Sequence, residues 1–111
     1  MPGFGHQLYP EGDPRGESLL AAVTAAYPDS GASKLAGEAA EAASGLMDER
    51  PNVDFALVVL ARVLGLPMGG ALALFALGRT VGWIGHAIEQ YETNRIIRPR
   101  ARYIGEQPTD A

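Results

Sequence analysis

The stretch that decides the fold is PMGGALALFALGRTVGWIGHAIEQYET, residues 67–93. Residues 71–77 are all apolar, and within this stretch Arg79 is the only charged residue before Glu89. A segment that is apolar nearly all round is typical of a helix buried on every side. We therefore predict a long helix from 68 to 93, with its first half enclosed by other elements.

Shorter helices are predicted before it. Asp13 is a good N-cap and Pro14 suits the first helical position, so the first helix starts there and ends before Pro28. Its apolar face is short and consists of Leu19, Leu20 and Val23. Asn52 suits the N-cap of a third helix that reaches Leu64, with Gly65 as its terminator.

Between them, a second helix is predicted from 32 to 48, where Arg50 and Pro51 stop it. It is a surface helix with a narrow, Ala-rich buried stripe, whose members are Leu35, Ala39, Ala42, Ala43, Leu46 and Met47. The chain shows no strand-like alternation and no internal repeat. The predicted class is all-α, with four main helices, an irregular loop over 1–16 and an extended basic tail from 94.

Composition bounds the possible functions. A chain of 111 residues, 47% hydrophobic and 20% charged, fits one small globular core. The absence of Cys excludes disulfides, zinc–thiolate sites and a thiol nucleophile. Phosphate-binding loops and metal-ligand clusters are also missing, so we expect no metal and no tightly bound cofactor. The net charge of −4 does not favour nucleic acid, and a start without a secretory signal fits a cytoplasmic protein.

The longest uncharged run, residues 63–78, is sixteen residues long and is interrupted at Pro67. A bilayer span needs roughly 20 apolar residues. We therefore expect this run to be protein core rather than a membrane segment.

Arg79 is the most informative single residue. An unpaired guanidinium in so apolar a helix would be strongly unfavourable, so it needs an anion. A protein carboxylate in a structural ion pair and a bound ligand both meet that need. Gly78, Gly82 and Gly85 each cost about 1 kcal/mol relative to Ala in a helix interior. They indicate that another backbone or a ligand approaches closely.

Other residues are weaker candidates when taken singly. Asp54 lies in the first turn of the third helix, where the dipole favours an ionised carboxylate. A partly shielded carboxylate of this kind can act as a general base, although complementing the dipole is the simpler interpretation. His6 follows glycines that let backbone N–H groups approach a ligand, but a lone loop histidine usually has no function. Arg15 alone would be a surface residue, and His86 a packed one.

Four arginines in the tail, beside Tyr103, could bind nucleic acid or a phosphate-bearing ligand. They are Arg95, Arg98, Arg100 and Arg102. Because the whole chain is acidic, a solvated tail is the simpler interpretation.

Taken in order, four motifs resemble the C-terminal third of citrate synthases. They are Gly3-Phe4-Gly5-His6 with Asp13-Pro14-Arg15, then Pro51-Asn52-Val53-Asp54-Phe55, then Gly78-Arg79-Thr80-Val81-Gly82-Trp83, and then Arg98-Pro99-Arg100. They extend over residues 2 to about 105 at compatible spacings. The resemblance implies that 1–66 correspond to elements of the family's small domain, and 67–111 to the C-terminal helix and tail of its large domain.

Citrate synthases condense the methyl carbon of acetyl-CoA with the keto group of oxaloacetate, and then hydrolyse the citryl-CoA thioester. The resemblance implies that Asp54 removes the methyl proton and that His6 hydrogen-bonds the oxaloacetate carbonyl. It implies that the oxaloacetate carboxylates are held by Arg15, Arg79 and Arg98, the last reaching into the neighbouring subunit of a homodimer. A weaker implication is that Gly3, Phe4 and Gly5 lie against CoA.

The chain departs from the family in two ways. Two further histidines of the family site have no counterpart, since only His6 and His86 are present, and the upstream helices of the large domain and dimer interface are missing. We therefore expect a fragment or a shortened protein that is inactive unless the missing upstream half or a second subunit completes it. One alternative is an inactive helical interaction or regulatory module. Another is a nucleic-acid or membrane-surface binder acting through the tail. The motifs do not distinguish citrate from 2-methylcitrate synthases.

Overall fold

The computed structural model describes residues 1–95, and they form four helices behind an irregular N-terminal loop. The helices are α1 (Pro14–Ala26), α2 (Gly31–Met47), α3 (Val53–Val63) and α4 (Gly70–Thr93). The all-α prediction is confirmed, and the predicted bounds differ from these by one or two residues. The predicted extended tail beyond Arg95, which carries Arg98, lies outside the described residues.

The predicted caps of α1 and α3 are also confirmed. Asp13 caps α1, and its Oδ1 accepts a hydrogen bond from the Arg15 backbone N–H at 3.1 Å. Asn52 caps α3, and its Oδ1 accepts from the Asp54 N–H at 3.0 Å. Gly65, just past the end of α3, has a φ of +64°, a conformation that favours glycine.

The N-terminal loop is fastened to the start of α3. The Asn52 backbone N–H donates to the Gly3 carbonyl at 2.9 Å, and its side-chain Nδ2 donates to the Gly5 carbonyl at 3.0 Å. Phe4, between these two glycines, is buried, and its ring lies 5.0 Å from that of Phe55. These contacts fix residues 3–5 to the start of α3. His6, the next residue, is thereby held near that helix start.

The core is small and lies where α1, α2 and α3 meet. Val23, Ala36 and Val59 are buried in one cluster, and the apolar residues packed against it are Leu19, Leu20, Phe55, Leu60 and Val63. The predicted apolar face of α1 is confirmed.

The predicted stripe of α2 is wrong at Ala42 and at its large members, all of which are exposed. Leu35 is 59% exposed and Leu46 is 85% exposed. The buried residues of α2 are Ser33, Ala36 and Ala43. A face of small side chains lets α2 pack closely, so the leucines on its neighbouring faces remain in solvent.

The prediction that α4 is enclosed is wrong for the described part of the chain, in which no residue of α4 is buried. The reason is geometric. At about 1.5 Å per residue, the 24 residues of α4 extend about 36 Å, whereas the 11 residues of α3 extend about 16 Å. Most of α4 projects past the element on which it packs. Its exposed large apolar residues are Leu72, Phe75, Leu77, Val81, Trp83, Ile84, Ile88 and Tyr91.

The expected length limit on a membrane segment is wrong. The uncharged run is sixteen residues long, but α4 extends beyond it, through Arg79 to Thr93. With 24 residues and a best window of mean hydropathy 1.3, α4 is long and apolar enough to cross a bilayer. One helix of this kind is weak evidence for a membrane protein, since core helices share these properties.

The first turn of α1 approaches the start of α3 closely at Gly16. A Cβ added there would lie 2.5 Å from the carbonyl carbon of Asn52 and 2.9 Å from the backbone nitrogen of Val53. Both are main-chain atoms, so they cannot turn aside as a flexible side chain would. Any residue larger than glycine would push the start of α1 away from the start of α3.

We expect Gly16→Ala to lower the free energy of unfolding by about 1–3 kcal/mol, the usual cost of overpacking a tight contact. The matched control is Gly37→Ala within α2, where an added Cβ meets nothing within 4 Å. That change should leave stability equal or raise it by up to about 1 kcal/mol, because alanine favours helix. Urea unfolding followed by circular dichroism measures both. An equal effect of the two substitutions would contradict the close crossing at Gly16.

Candidate functional site

A buried carboxylate, Asp13, joins the first and third helices. Its Oδ1 accepts from the Arg15 backbone N–H at 3.1 Å and from Arg15 Nε at 2.9 Å. Its Oδ2 accepts from Arg15 Nη2 at 3.0 Å and from the Val53 backbone N–H at 3.0 Å. The side chain is completely shielded from solvent. The sequence indicated Asp13 only as an N-cap, because nothing local shows that it also reaches Val53.

These bonds shift the ionisation of both partners. The side-chain hydrogen bond from Arg15 is the largest cause that lowers the pKa of Asp13, from 3.8 to about 2, and the N–H groups of Val53 and Arg15 lower it further. Burial acts in the opposite direction. The same bond raises the pKa of Arg15, and the nearby charge of Asp54 adds to that rise. Arg15 is therefore a fixed cation within electrostatic reach of Asp54.

His6 approaches Arg15 from the N-terminal loop. Its Nδ1 lies 3.1 Å from the Leu8 backbone N–H, which donates to it. Its Nε2 lies 3.2 Å from Arg15 Nη2, at hydrogen-bond distance. A guanidinium cannot accept, so this second contact is a hydrogen bond only when Nε2 accepts from Arg15 and the ring proton lies on Nδ1. A neutral ring accepts at one nitrogen only, so the contacts with Leu8 and Arg15 belong to alternative tautomers of His6. In the tautomer that accepts from Leu8, Nε2 carries the proton and can donate to an acceptor oxygen placed beside it and Arg15.

Arg15 and Arg79 line one groove between α1, α3 and α4. The groove has a volume of about 470 Å³, and its other lining residues are Val53, Leu57, Leu74, Phe75 and Gly78. The walls are mainly apolar, so the two guanidinium groups supply its charge. The prediction that Arg15 and Arg79 act together is compatible with this arrangement, which suits a small molecule with two negative groups.

Two expectations about exposure are wrong. Arg79 is exposed rather than buried, and no carboxylate within residues 1–95 forms an ion pair with it at 4.0 Å or less. Asp54 is exposed rather than partly shielded. Both follow from the open position of α4, which covers the start of α3 on one side only.

The glycines of α4 were expected to mark a close approach by a backbone or a ligand. In the described part of the chain, an added Cβ at Gly78 or Gly85 would meet nothing within 4 Å. At Gly82 it would lie 2.9 Å from Nη1 of Arg79. Gly82 therefore leaves room for the guanidinium of its own helix, and the expected approach of another backbone is wrong for residues 1–95.

The other predicted residues are more dispersed. His6 and Gly5 line a second cleft of about 430 Å³, between the N-terminal loop and residues 48–50. Asp54 lines neither space. Phe4 packs in the core, and the proposed contacts of Gly3, Phe4 and Gly5 with CoA stay a prediction. Arg98 lies outside the described residues. Within residues 1–95, no three His, Asp or Glu side chains are grouped so that they could hold a metal ion.

Comparison with known proteins gives a consistent result. The family model of the citrate synthase C-terminal domain matches residues 1–100. The chain is 40% identical to the citrate synthase of Haloferax volcanii, over 97% of this chain and 29% of that protein. It is 37% identical to citrate synthase 2 of Bacillus subtilis, over 93% of this chain and 28% of that protein.

A further relative is 2-methylcitrate synthase 2 of Corynebacterium glutamicum, 33% identical over 95% of this chain and 28% of that protein. The chain thus spans less than a third of the length of the relatives that it matches. The resemblance inferred from the four motifs is confirmed.

The lowered pKa of Asp13 predicts an acid-sensitive contribution to stability. A carboxyl whose pKa falls from 3.8 to about 2 on folding contributes fully above 3.8, and the contribution is lost as the pH falls through about 2. The shift corresponds to about 2 kcal/mol, and half-exposure of the Arg15 side chain reduces the expected value to about 1–2 kcal/mol.

We therefore expect Asp13→Asn to be less stable than the parent chain at neutral pH, with the difference shrinking between pH 4 and pH 2. Urea unfolding of both proteins at a series of pH values measures that difference. Because the other carboxyls are the same in both proteins, their contributions cancel. Glu38→Gln, on the exposed face of α2, serves as the control and should give a flat difference. A difference for Asp13→Asn that is independent of pH would show that its charge is not stabilised on folding.

Proposed function

We propose, since this chain belongs to the citrate synthase family, that residues 1–95 form the oxaloacetate side of a citrate-synthase-type active site. The observation that carries the proposal is the approach of His6 Nε2 to Arg15 Nη2, which lie 3.2 Å apart, with Arg79 on the same groove as Arg15. Oxaloacetate offers a keto oxygen between two carboxylates. That pattern of acceptors complements two guanidinium groups and one imidazole N–H.

In the proposed reaction, Arg15 and Arg79 bind the two carboxylates and orient the keto carbon. Asp54 takes a proton from the methyl group of acetyl-CoA, and the resulting enolate carbon attacks the keto carbon of oxaloacetate. The keto oxygen then gains negative charge, which the Nε2–H of His6 stabilises. Water finally hydrolyses the citryl-CoA thioester and releases citrate and CoA.

Two features of the chain support Asp54 as the base. It lies in the first turn of α3, at the positive end of the helix dipole, where an acidic side chain is favourable. Its charge is also the smallest of the causes that raise the pKa of Arg15, so the proposed base lies within electrostatic reach of that cation.

We further propose that these 111 residues alone do not turn over substrate. Asp54 and Arg79 are exposed, so water screens the charges on which the reaction depends. The chain has no counterpart of the two other family histidines, since its only second histidine is on α4 beside Glu89. An upstream portion or a second subunit would have to shield Asp54 and Arg79 from water and supply the two histidines.

The test measures CoA release from acetyl-CoA and oxaloacetate by a thiol reagent. The chain is assayed alone and then mixed with the Haloferax volcanii relative from which the matched 29% has been removed. We expect release only from the mixture. Asp54→Asn should lower kcat by about 10²–10⁴-fold, as loss of a general base does. Arg79→Gln should raise KM for oxaloacetate by about 10–100-fold, the range for a lost charge-assisted hydrogen bond.

The control is Arg62→Gln, which removes an exposed arginine in the last turn of α3, outside the groove of Arg15 and Arg79. It should leave both constants unchanged. Turnover by the chain alone would contradict the proposed incompleteness. A mixture that co-sediments as one complex and still releases no CoA would contradict the proposed reaction.

A second candidate function is a helical module that associates with another copy of itself, and the exposed face of α4 favours it. Leu77, Val81, Ile84, Ile88 and Tyr91 follow one another at spacings of four, three, four and three. This is the repeat with which helices pair in coiled coils. All five residues are exposed, and the positions that flank them are small or uncharged up to residue 88. Like-charge repulsion would therefore not oppose the pairing of two copies.

Sedimentation velocity over a range of concentrations tests this second function. If it holds, the chain associates, and Ile84→Glu weakens association by at least about tenfold, as loss of a central apolar contact does. Leu72→Glu is the matched control, because Leu72 is also exposed on α4 but lies outside the repeat. A monomer at every concentration would exclude self-association, and equal effects of the two substitutions would exclude the repeat as its basis.

A further inference from the structure

The ring of Tyr9 lies beside both donors of the proposed site. Its centroid is 5.0 Å from that of the His6 ring, with an angle of 44° between the planes. The guanidinium carbon of Arg15 lies over the same ring, 5.3 Å from its centroid. Tyr9 belongs to none of the four motifs and takes no part in the proposed reaction.

The backbone fixes the ring in this place. The Tyr9 N–H donates to the His6 carbonyl at 3.1 Å, and the Gly12 N–H donates to the Tyr9 carbonyl at 3.1 Å. Two successive turns therefore carry the chain from His6 past Tyr9 to the start of α1. The side chain is half-buried, so one part of the ring contacts protein while the other contacts solvent.

The two groups need such support in the tautomer that serves the proposed reaction. With its proton on Nε2, the imidazole cannot accept from the guanidinium 3.2 Å away, so the hydrogen bond that the other tautomer would make with Arg15 is lost. Asp13 holds Arg15 from the opposite side through two side-chain hydrogen bonds. In that tautomer the His6 ring keeps, within residues 1–95, the bond from Leu8 and the contact with the Tyr9 ring.

An aromatic ring can hold both groups without competing for their hydrogens. Its face attracts a guanidinium, and its tilted packing against an imidazole is the ordinary geometry of neighbouring rings. We infer that Tyr9 is a positioning residue whose aromatic ring, and not its hydroxyl, keeps His6 and Arg15 side by side, ready for one shared acceptor. The hydroxyl makes no hydrogen bond within residues 1–95. Only the identity of that acceptor as oxaloacetate rests on the proposed function.

The experiment uses nitrogen-15 NMR of the full chain in alkaline buffer, where the imidazole is neutral. It reads the tautomer of His6 and the hydrogen exchange rate of Arg15 Nε–H, in the parent, Tyr9→Phe and Tyr9→Leu. We expect the parent and Tyr9→Phe to show the proton on Nε2 and slow exchange. Tyr9→Leu should give a mixture of tautomers, with exchange faster by roughly threefold to tenfold, the range for a partly exposed cation–π contact.

Two internal controls accompany the measurement. His86, on α4, should keep its signals in every variant, and Tyr91→Leu, which removes an equally large ring from an exposed part of α4, should change neither readout. A merely structural role for Tyr9 would lower the melting temperature without changing the tautomer. Unchanged His6 and Arg15 signals in folded Tyr9→Leu would overturn the inference, and so would equal losses in Tyr9→Phe and Tyr9→Leu.

If Tyr9→Leu does not fold, the parent chain itself decides the question. Nuclear Overhauser effects from the Tyr9 ring protons to both the His6 ring and the Arg15 side chain, retained in Tyr9→Phe, are the expected result. Their absence would overturn the inference. None of these readouts involves CoA release, so failure here and failure of the proposed reaction are told apart.

Discussion

The structure depends on one buried carboxylate. Asp13 accepts four hydrogen bonds, three from Arg15 and one from the main chain of Val53, and so compensates the cost of removing its charge from water. Through these bonds one side chain caps α1, orients Arg15 and binds the first backbone N–H of α3. The position of the candidate site is therefore set by the same contact that sets the crossing of two helices, and neither can move without the other.

The rest of the site follows from that crossing. The absence of a side chain at Gly16 lets α1 approach the main chain of Asn52, and Asn52 in turn binds the carbonyls of Gly3 and Gly5. These contacts bring Nε2 of His6 to 3.2 Å from Nη2 of Arg15. The site is thus assembled from a loop, a cap and a helix start, which are the places where backbone N–H groups are free to bind.

What could be predicted from the sequence is what local chemistry determines. Caps, prolines and the C-terminal glycine of α3 act within a few residues, so the four helices and their ends were predicted to within one or two residues. The bond between Asp13 and Val53 joins residues forty positions apart, and no local pattern shows it. The burial of α4 depends on what packs against it, so composition alone predicted an enclosed helix and a buried Arg79, both of which are wrong here.

The errors share one physical cause. Within residues 1–95, α4 and the start of α3 are open to solvent on one side. The exposed apolar face of α4, the exposed Arg79 and the solvated Asp54 all follow from that. Guanidinium groups bind carboxylates far more strongly when water is excluded than when it screens them. The apolar face and the charged groove therefore complement each other: a polypeptide that buried the outer face and closed over the groove would gain hydrophobic contact energy while strengthening Arg15 and Arg79 as anion-binding groups. Binding of such a polypeptide and binding of an anion in the groove would each favour the other.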